Sequence, residues 1–294
     1  MIKKEANAMK KGKFLCVFAL VLVFALIASA LPMTSSAAGL SSLSIAKSDV
    51  VIRRAGKILD VGLYIIDDTT YVPIRAFALA LGIDARVSFD DKTKTASVKY
   101  GSVGAQATAG ENYVSARGRY FYSSRKNLII DGTMYIPIRA LAPVFGYDVD
   151  WDASTRSVIL SYKGALKSAD DVYDYEDLYW LSRIISAESR DQTLLGQIAV
   201  GTVVANRVAS GEYPSSYKGV IFDRKYGVQF TPVANGSVYD YPSETSVIAA
   251  KITLEGYRVD DEVIYFMNDA LARSRWIKDN CEYCFTIGEH SFWK

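Results

Sequence analysis

The stretch LSRIISAESRDQTLLGQIAV, residues 181–200, holds the end of one helix and the start of the next. Leu178, Leu181, Ile184 and Ile185 recur at the spacing of one face of a 3.6-residue helix, and Glu188 falls inside that apolar stripe. A carboxyl so placed has two readings. It is half of a buried ion pair, with Arg183, Arg190 or Arg207 as partner, or it is an acid that keeps its proton near neutral pH because burial disfavours its charged form. The first helix is expected over residues 173–190, with Asp174, Glu176 and Asp177 near its start, where the helix dipole favours negative charge. Asp191 or Thr193 opens a second helix running through Val208. That helix (LLGQIAVGTVVANRV) is apolar nearly all round, as a central buried element must be. Gly196, Ala199, Gly201 and Ala205 would let neighbouring backbones come close, and Gly211 and Pro214 end it. A loop with Gly227, Gln229 and Phe230 follows, then a helix around Thr245–Glu255 and the strand-like VIYFMN, residues 263–268. The chain closes through ARSRWIKDN and FTIGEHSFW, so this half is mainly helical with a small sheet.

The first half is built differently. IIDDTTYVPIRAFALALGIDARVSFDDKTKTASVKY (65–100) and IIDGTMYIPIRALAPVFGYDVDWDASTRSVILSY (129–162) match at an offset of 64 residues as far as Gly82 and Gly146. The first copy then has two extra residues, so that Phe89 corresponds to Trp151 and Tyr100 to Tyr162. Such self-similarity marks a duplicated supersecondary unit. Each copy reads as a hairpin turning at Asp-Asp or Asp-Gly, a helix entered at Tyr-x-Pro-Ile-Arg and closed by glycine, and a final alternating hairpin, β-β-α-β-β. The two copies are expected to complete one another's sheet. The fold class is therefore α+β, a duplicated small β-rich domain followed by a mainly helical one.

The remaining features bound the chemistry. Five lysines precede the apolar run FLCVFALVLVFALI, and small residues follow it, the order of a secretory signal over residues 1–38 with cleavage after Ala30 or Ala38. A retained membrane anchor is the alternative, since the run is nearly long enough to span. Residues 39–163 carry 16 Lys and Arg against 12 Asp and Glu, and residues 164–294 carry 13 against 19. The sign change places a domain boundary near residues 163–169, and no segment has the basic stripe of a nucleic-acid binder. The chain has one histidine, His290, which excludes zinc sites built on two or three imidazoles. Beyond the signal the only thiols are Cys281 and Cys284, and a lone C-x-x-C cannot close a tetrahedral metal site. No metal or cofactor is expected.

Two resemblances sharpen this. Residues 48–163, through Tyr71–Ala76 and Tyr135–Ala140, resemble the domain at the N-terminus of copper amine oxidases, although the stretch has no histidine or cysteine to hold copper. It is read as a wall-facing or spacer module, joined by a linker over 164–175 to a second domain over 176–294. That domain resembles the spore cortex-lytic cell wall hydrolases (the SleB/CwlJ type) through residues 185–208, QFTPV (229–233), YFMN (265–268), RWI (275–277) and IGEHSF (287–292). The family's G-E-[AS]-R is Ala187-Glu188-Ser189-Arg190 here, and its Trp-Ile-Trp is Trp276-Ile277-Lys278.

The resemblance implies a lysozyme-like domain that cuts peptidoglycan glycan strands in cell wall or spore cortex as a lytic transglycosylase, with Glu188 as acid and base. A transglycosylase needs one carboxyl, whereas ordinary glycosidases use two. Asp191, the nearest second candidate, reads better as a helix cap. Gln229, Tyr265 and Asn268 offer hydrogen bonds to sugar hydroxyls and acetamido groups, Phe230 and Trp276 offer flat faces to pyranose rings, and His290 has a cleft-shaping or substrate-binding role. Two rivals stand beside this reading: a wall peptidase or amidase using Cys281 or Cys284 with His290, and a wall-binding protein with no catalysis. The location expected is the wall or spore envelope, without stable membrane insertion.

Overall fold

The computed structural model of the chain describes residues 45–46 and 49–294, apart from 226 and 273. The signal read over residues 1–38 lies outside them. Among the described residues no helix is long and apolar enough to cross a membrane.

The two similar segments take the same order of elements. In the first, strands Tyr64–Ile66 and Thr69–Pro73 lead into helix α1 (Ile74–Ala80), and Arg86–Asp90 then pairs with Thr95–Tyr100. In the second, Leu128–Ile130 and Thr133–Pro137 lead into α2 (Ile138–Leu141), and Tyr147–Asp152 pairs with Ser157–Tyr162. Pro73 and Pro137 stand where strand becomes helix, at φ −72° and −54°, and neither has an amide for the missing ladder bond. The strands they end pair antiparallel with Tyr71 opposite Pro137, Val72 opposite Ile136 and Pro73 opposite Tyr135. Equivalent residues therefore face one another across a local two-fold axis, with Val72 and Ile136 fully buried at its centre. The closing hairpins part company. The first extends into a five-stranded sheet with Val103–Thr108, Tyr113–Ala116 and Arg119–Tyr122, whereas Ser157–Tyr162 lies parallel to Val51–Arg54.

Residues 164–175 are docked rather than free. Leu166 is buried in the β-rich core, the amide of Ala169 donates to the Arg117 carbonyl at 2.9 Å, and Ser168 and Asp171 cap a short 3-10 turn. Asp174 then caps helix α3 (Tyr175–Ser189), accepting from the amides of Glu176 and Asp177. Helix α4 (Leu194–Ser210) is capped by the Thr193 hydroxyl, which accepts from the Gly196 amide. Asp191 is not the cap; it lies exposed in the turn between the two helices. Short helices α5 (Tyr217–Ile221) and α6 (Thr231–Asn235) lead to α7 (Glu244–Leu254), capped by Ser243. Tyr265–Asn268, α8 (Trp276–Asn280) and the hairpin Tyr283–Ile287 with His290–Trp293 complete the half, His290–Trp293 being the middle strand of a three-stranded antiparallel sheet.

Helix α4 is buried on nearly every side, and α3 and α7 pack against it. The tightest point is Gly201, where an added Cβ would lie 2.6 Å from the Thr253 hydroxyl and 2.9 Å from Ile185 Cδ1. The β-rich and helical halves are themselves joined within one unit, Leu43–Lys294. Arg119 makes a two-pronged bond to Glu255 at 2.7 and 2.6 Å, with side chains 16% and 10% exposed, and the Tyr173 hydroxyl donates to the same carboxylate. Tyr122 packs edge-on against Tyr257 at 4.5 Å, and Lys251 donates to the Gly118 carbonyl at 2.9 Å.

Gly201→Ala should lower the unfolding free energy by about 1–3 kcal/mol, since overpacking at the crossing outweighs the better helix propensity of alanine. Urea unfolding of the full chain checks this, and a stabilised variant would show that the three helices are not in close contact there.

Candidate active site

Glu188 is the penultimate residue of α3. Two features of its place disfavour a negative charge. Protein surrounds most of the carboxyl, although the residue keeps a partial opening to solvent, and burial pushes its pKa up from 4.5 to about 7. The C-terminal end of a helix also carries partial negative charge, which repels a carboxylate further.

The ion-pair reading fails on the arginines. Arg183 lies over the Tyr179 ring at 3.6 Å and donates to the Tyr179 carbonyl. Arg190 donates to the Ser186 hydroxyl and the Tyr241 carbonyl. Arg207 donates to the Ile264 carbonyl at 2.7 Å. Among the described residues no cation lies within ion-pair distance of Glu188. Among the described residues it is a mostly buried acid without a counter-charge.

The turn that follows is held by polar groups which the sequence reading missed. Gln197, 1% exposed, donates to the Arg190 and Gln192 carbonyls at 3.3 and 2.9 Å and accepts from the Ser246 hydroxyl at 2.7 Å. The Ser186 hydroxyl accepts from the Ser243 amide at 3.1 Å, tying α3 to the start of α7. Gln192 accepts from the Glu289 amide at 3.2 Å, which brings the final hairpin turn against the turn after Glu188. The signal available in the sequence was Gln197 itself, a polar residue within the apolar first half of α4.

Most of the residues read as sugar contacts come together in a second cluster, whose hub is Arg207. Its guanidinium, 5% exposed at the residue level, lies over the rings of Tyr213, Phe230 and Tyr265 at 4.9, 5.4 and 5.4 Å, and Gln229 accepts from it at 3.5 Å. Tyr265 meets Trp276 edge-on at 5.8 Å, and Trp276 is 54% exposed, open for a ring to stack on it. The Tyr265 hydroxyl meets that of Tyr213 at 3.4 Å, and this contact with burial pushes its pKa up to about 12. Asn268 donates to Glu289 at 3.3 Å and accepts from the Ala270 amide, so its amide serves the local turn.

Two assignments change. Phe230 is not a stacking surface, because it is 2% exposed and packs in the helical core near Phe266. His290 is 6% exposed with its ring edge-on to Phe266 at 5.5 Å, and burial lowers its pKa, so the ring is neutral and fills the sheet's inner face. The thiol chemistry also lacks its parts. Cys281 and Cys284 are free thiols whose pKa values burial pushes up, the opposite of an activated nucleophile, and the buried Nδ1 of His290 has no hydrogen-bond partner to orient it. Nor does the β-rich half fit copper. It has no imidazole or thiolate, and among the described residues no three potential ligands cluster.

The described residues thus form a β-rich module and a helical domain, with the mostly buried Glu188 carboxyl in the second. Residues 52–160 match the model of the Copper amine oxidase N-terminal domain, and residues 191–293 that of the Cell Wall Hydrolase family. Among the proteins similar to it are the spore cortex-lytic enzymes of Bacillus cereus, 34% identical over 122 residues, and Bacillus subtilis, 32% identical over 120 residues. The matches cover 42% and 41% of this chain and 46% and 38% of those proteins, so the chain spans less than half the length of either. The catalytic domain of the germination-specific lytic transglycosylase SleB from Bacillus anthracis is 34% identical and matched over 97% of its length and 42% of this chain, with a TM-score of 0.38. The Cell Wall Hydrolase match thus covers about a third of the chain, within its helical half. The family match begins at Asp191, three residues past Glu188, so the role of that carboxyl rests on its surroundings.

A raised carboxyl pKa has a definite sign in stability. The folded state binds a proton that the unfolded chain releases above pH 4.5, so the charge of Glu188 costs stability progressively between pH 4.5 and about 7, and fully above that. Glu188→Gln should match the parent near pH 4 and exceed it above pH 7 by an amount on the order of 3 kcal/mol, read by urea unfolding at both values. A variant less stable than the parent at pH 8 would mean that the carboxylate is paired.

Proposed function

We propose that the chain cleaves the glycan strands of peptidoglycan, in cell wall or spore cortex, as a lytic transglycosylase with Glu188 as its acid and base. The observation that carries this is the mostly buried carboxyl with no counter-charge among the described residues, whose pKa of about 7 leaves both protonation states populated at neutral pH. A general acid works best with a pKa near the working pH. The protonated carboxyl donates to the glycosidic oxygen as the bond to the anomeric carbon breaks. The substrate's N-acetyl group stabilises the cation, the C6 hydroxyl attacks the anomeric carbon, and the Glu188 carboxylate takes the hydroxyl proton. The carboxyl returns to its starting state and no water is consumed. One carboxyl suffices, which agrees with Asp191 lying exposed in its turn.

The names of the similar proteins support the reaction class and a wall or cortex substrate. Within the site, Trp276 is the proposed stacking surface, with Tyr265, Gln229 and Asn268 as polar contacts beside it. Phe230 and His290 shape this wall from within. We read residues 1–38 as an export signal that delivers the enzyme to the outer face of the membrane.

Mass spectrometry of fragments released from purified peptidoglycan tests the reaction. The parent chain should release fragments ending in 1,6-anhydromuramic acid, and Glu188→Gln should lower the rate at least 100-fold, the usual weight of a general acid. Fragments with ordinary reducing ends would instead mean hydrolysis and a second carboxylate.

A further inference from the structure

One cavity of the described residues lies away from Glu188. It lies where the second β-rich repeat meets the end of α7, with a volume of ≈ 590 Å³, inside the range of about 300–1,000 Å³ typical of ligand sites. Its lining includes the buried apolar side chains of Phe121, Ile138 and Val158. At its edge stands Trp151, 47% exposed. Tyr122 and Tyr257, one from each half of the molecule, form another wall in edge-to-face contact at 4.5 Å. Thr70, Ser124 and Asp150 add two hydroxyls and a carboxylate, and none of the three side chains is bonded elsewhere among the described residues.

Trp151 has no packing reason to be aromatic. It corresponds in the repeat to Phe89, which is also 45% exposed, so neither copy uses this position in its core. An open indole face beside unspent hydroxyls and a carboxylate suits a carbohydrate, whose C–H faces stack on aromatic rings while its hydroxyls need donors and acceptors at the edge. Acidic residues in the lining disfavour a polyanion, and the polar edge disfavours a lipid chain.

We propose that this interdomain cavity is a second glycan site, which holds a β-1,4-linked amino-sugar segment of the polymer being cut at Glu188. It rests on the glycan-cleaving reading for the identity of the polymer, though not on turnover itself. The β-rich half thereby becomes part of the substrate grip, and the Arg119–Glu255 dock keeps the two grips in register.

The test uses the full chain labelled with 5-fluorotryptophan, whose four tryptophans give four fluorine signals. The Trp151 signal is assigned by Trp151→Phe. Addition of a β-1,4-linked N-acetylglucosamine tetramer should move the Trp151 signal saturably, and Trp151→Ala should weaken binding at this site about tenfold, read from the Tyr257 environment by proton–carbon spectra. A Trp151 signal unmoved at millimolar tetramer overturns the proposal. So does movement only with a free stem peptide, which would make the cavity a peptide site. Anhydromuramic products with an unmoved Trp151 signal would sink this site alone, whereas movement of Trp151 without such products would sink the catalytic reading and leave the site standing.

Discussion

The constraint on which the rest of the helical half depends is the close crossing of α4 with α3 and α7 at Gly201. The crossing packs Gly201 against Ile185, about one turn before Glu188 on α3, and against Thr253 of α7. The carboxyl of Glu188 then sits among protein atoms with only a partial opening, and its charged form becomes costly. The polar groups that must accompany such packing are bonded to one another. Gln197, Ser246, Ser243 and Ser186 form a chain that ends on the carbonyls just after Glu188. A satisfied network of this kind is rigid and holds the turn after Glu188 in place.

The second dependence is on the dock between the halves. Arg119 and Glu255 are both mostly buried, and removing either would leave an uncompensated charge, a loss of about 3–5 kcal/mol in comparable cases. The pair therefore fixes the orientation of the β-rich half, and with it the walls of the interdomain cavity. The described halves are better seen as one body than as a working domain on a stalk.

What could be read in the sequence followed from local rules. The stripe of Leu181, Ile184 and Ile185 located the buried face and placed Glu188 on it, and the small residues of α4 marked the crossing. The two Tyr-x-Pro-Ile-Arg segments announced their shared hairpin-to-helix turn, because proline sets φ wherever it stands. What could not be read depends on residues far apart in the chain. Arg207 gathers Tyr213, Phe230 and Tyr265 by folding alone, so Phe230 looked like a surface for sugar when it is core. The stretch 164–175 resembled a linker because its polar residues cap and bond locally, and only the structure puts Leu166 under the β-rich sheet. The Arg119–Glu255 bond spans 136 positions, beyond any periodicity.

The most direct measurement is a titration of the Glu188 side-chain carboxyl in the intact chain, followed by its carbon-13 shift with Glu188→Gln to assign the signal. The account predicts a midpoint near pH 7, well above the ordinary glutamate value of about 4.3. A midpoint below pH 5 would contradict it, because the carboxyl would then be solvated or paired, and no proton donor would be present at neutral pH.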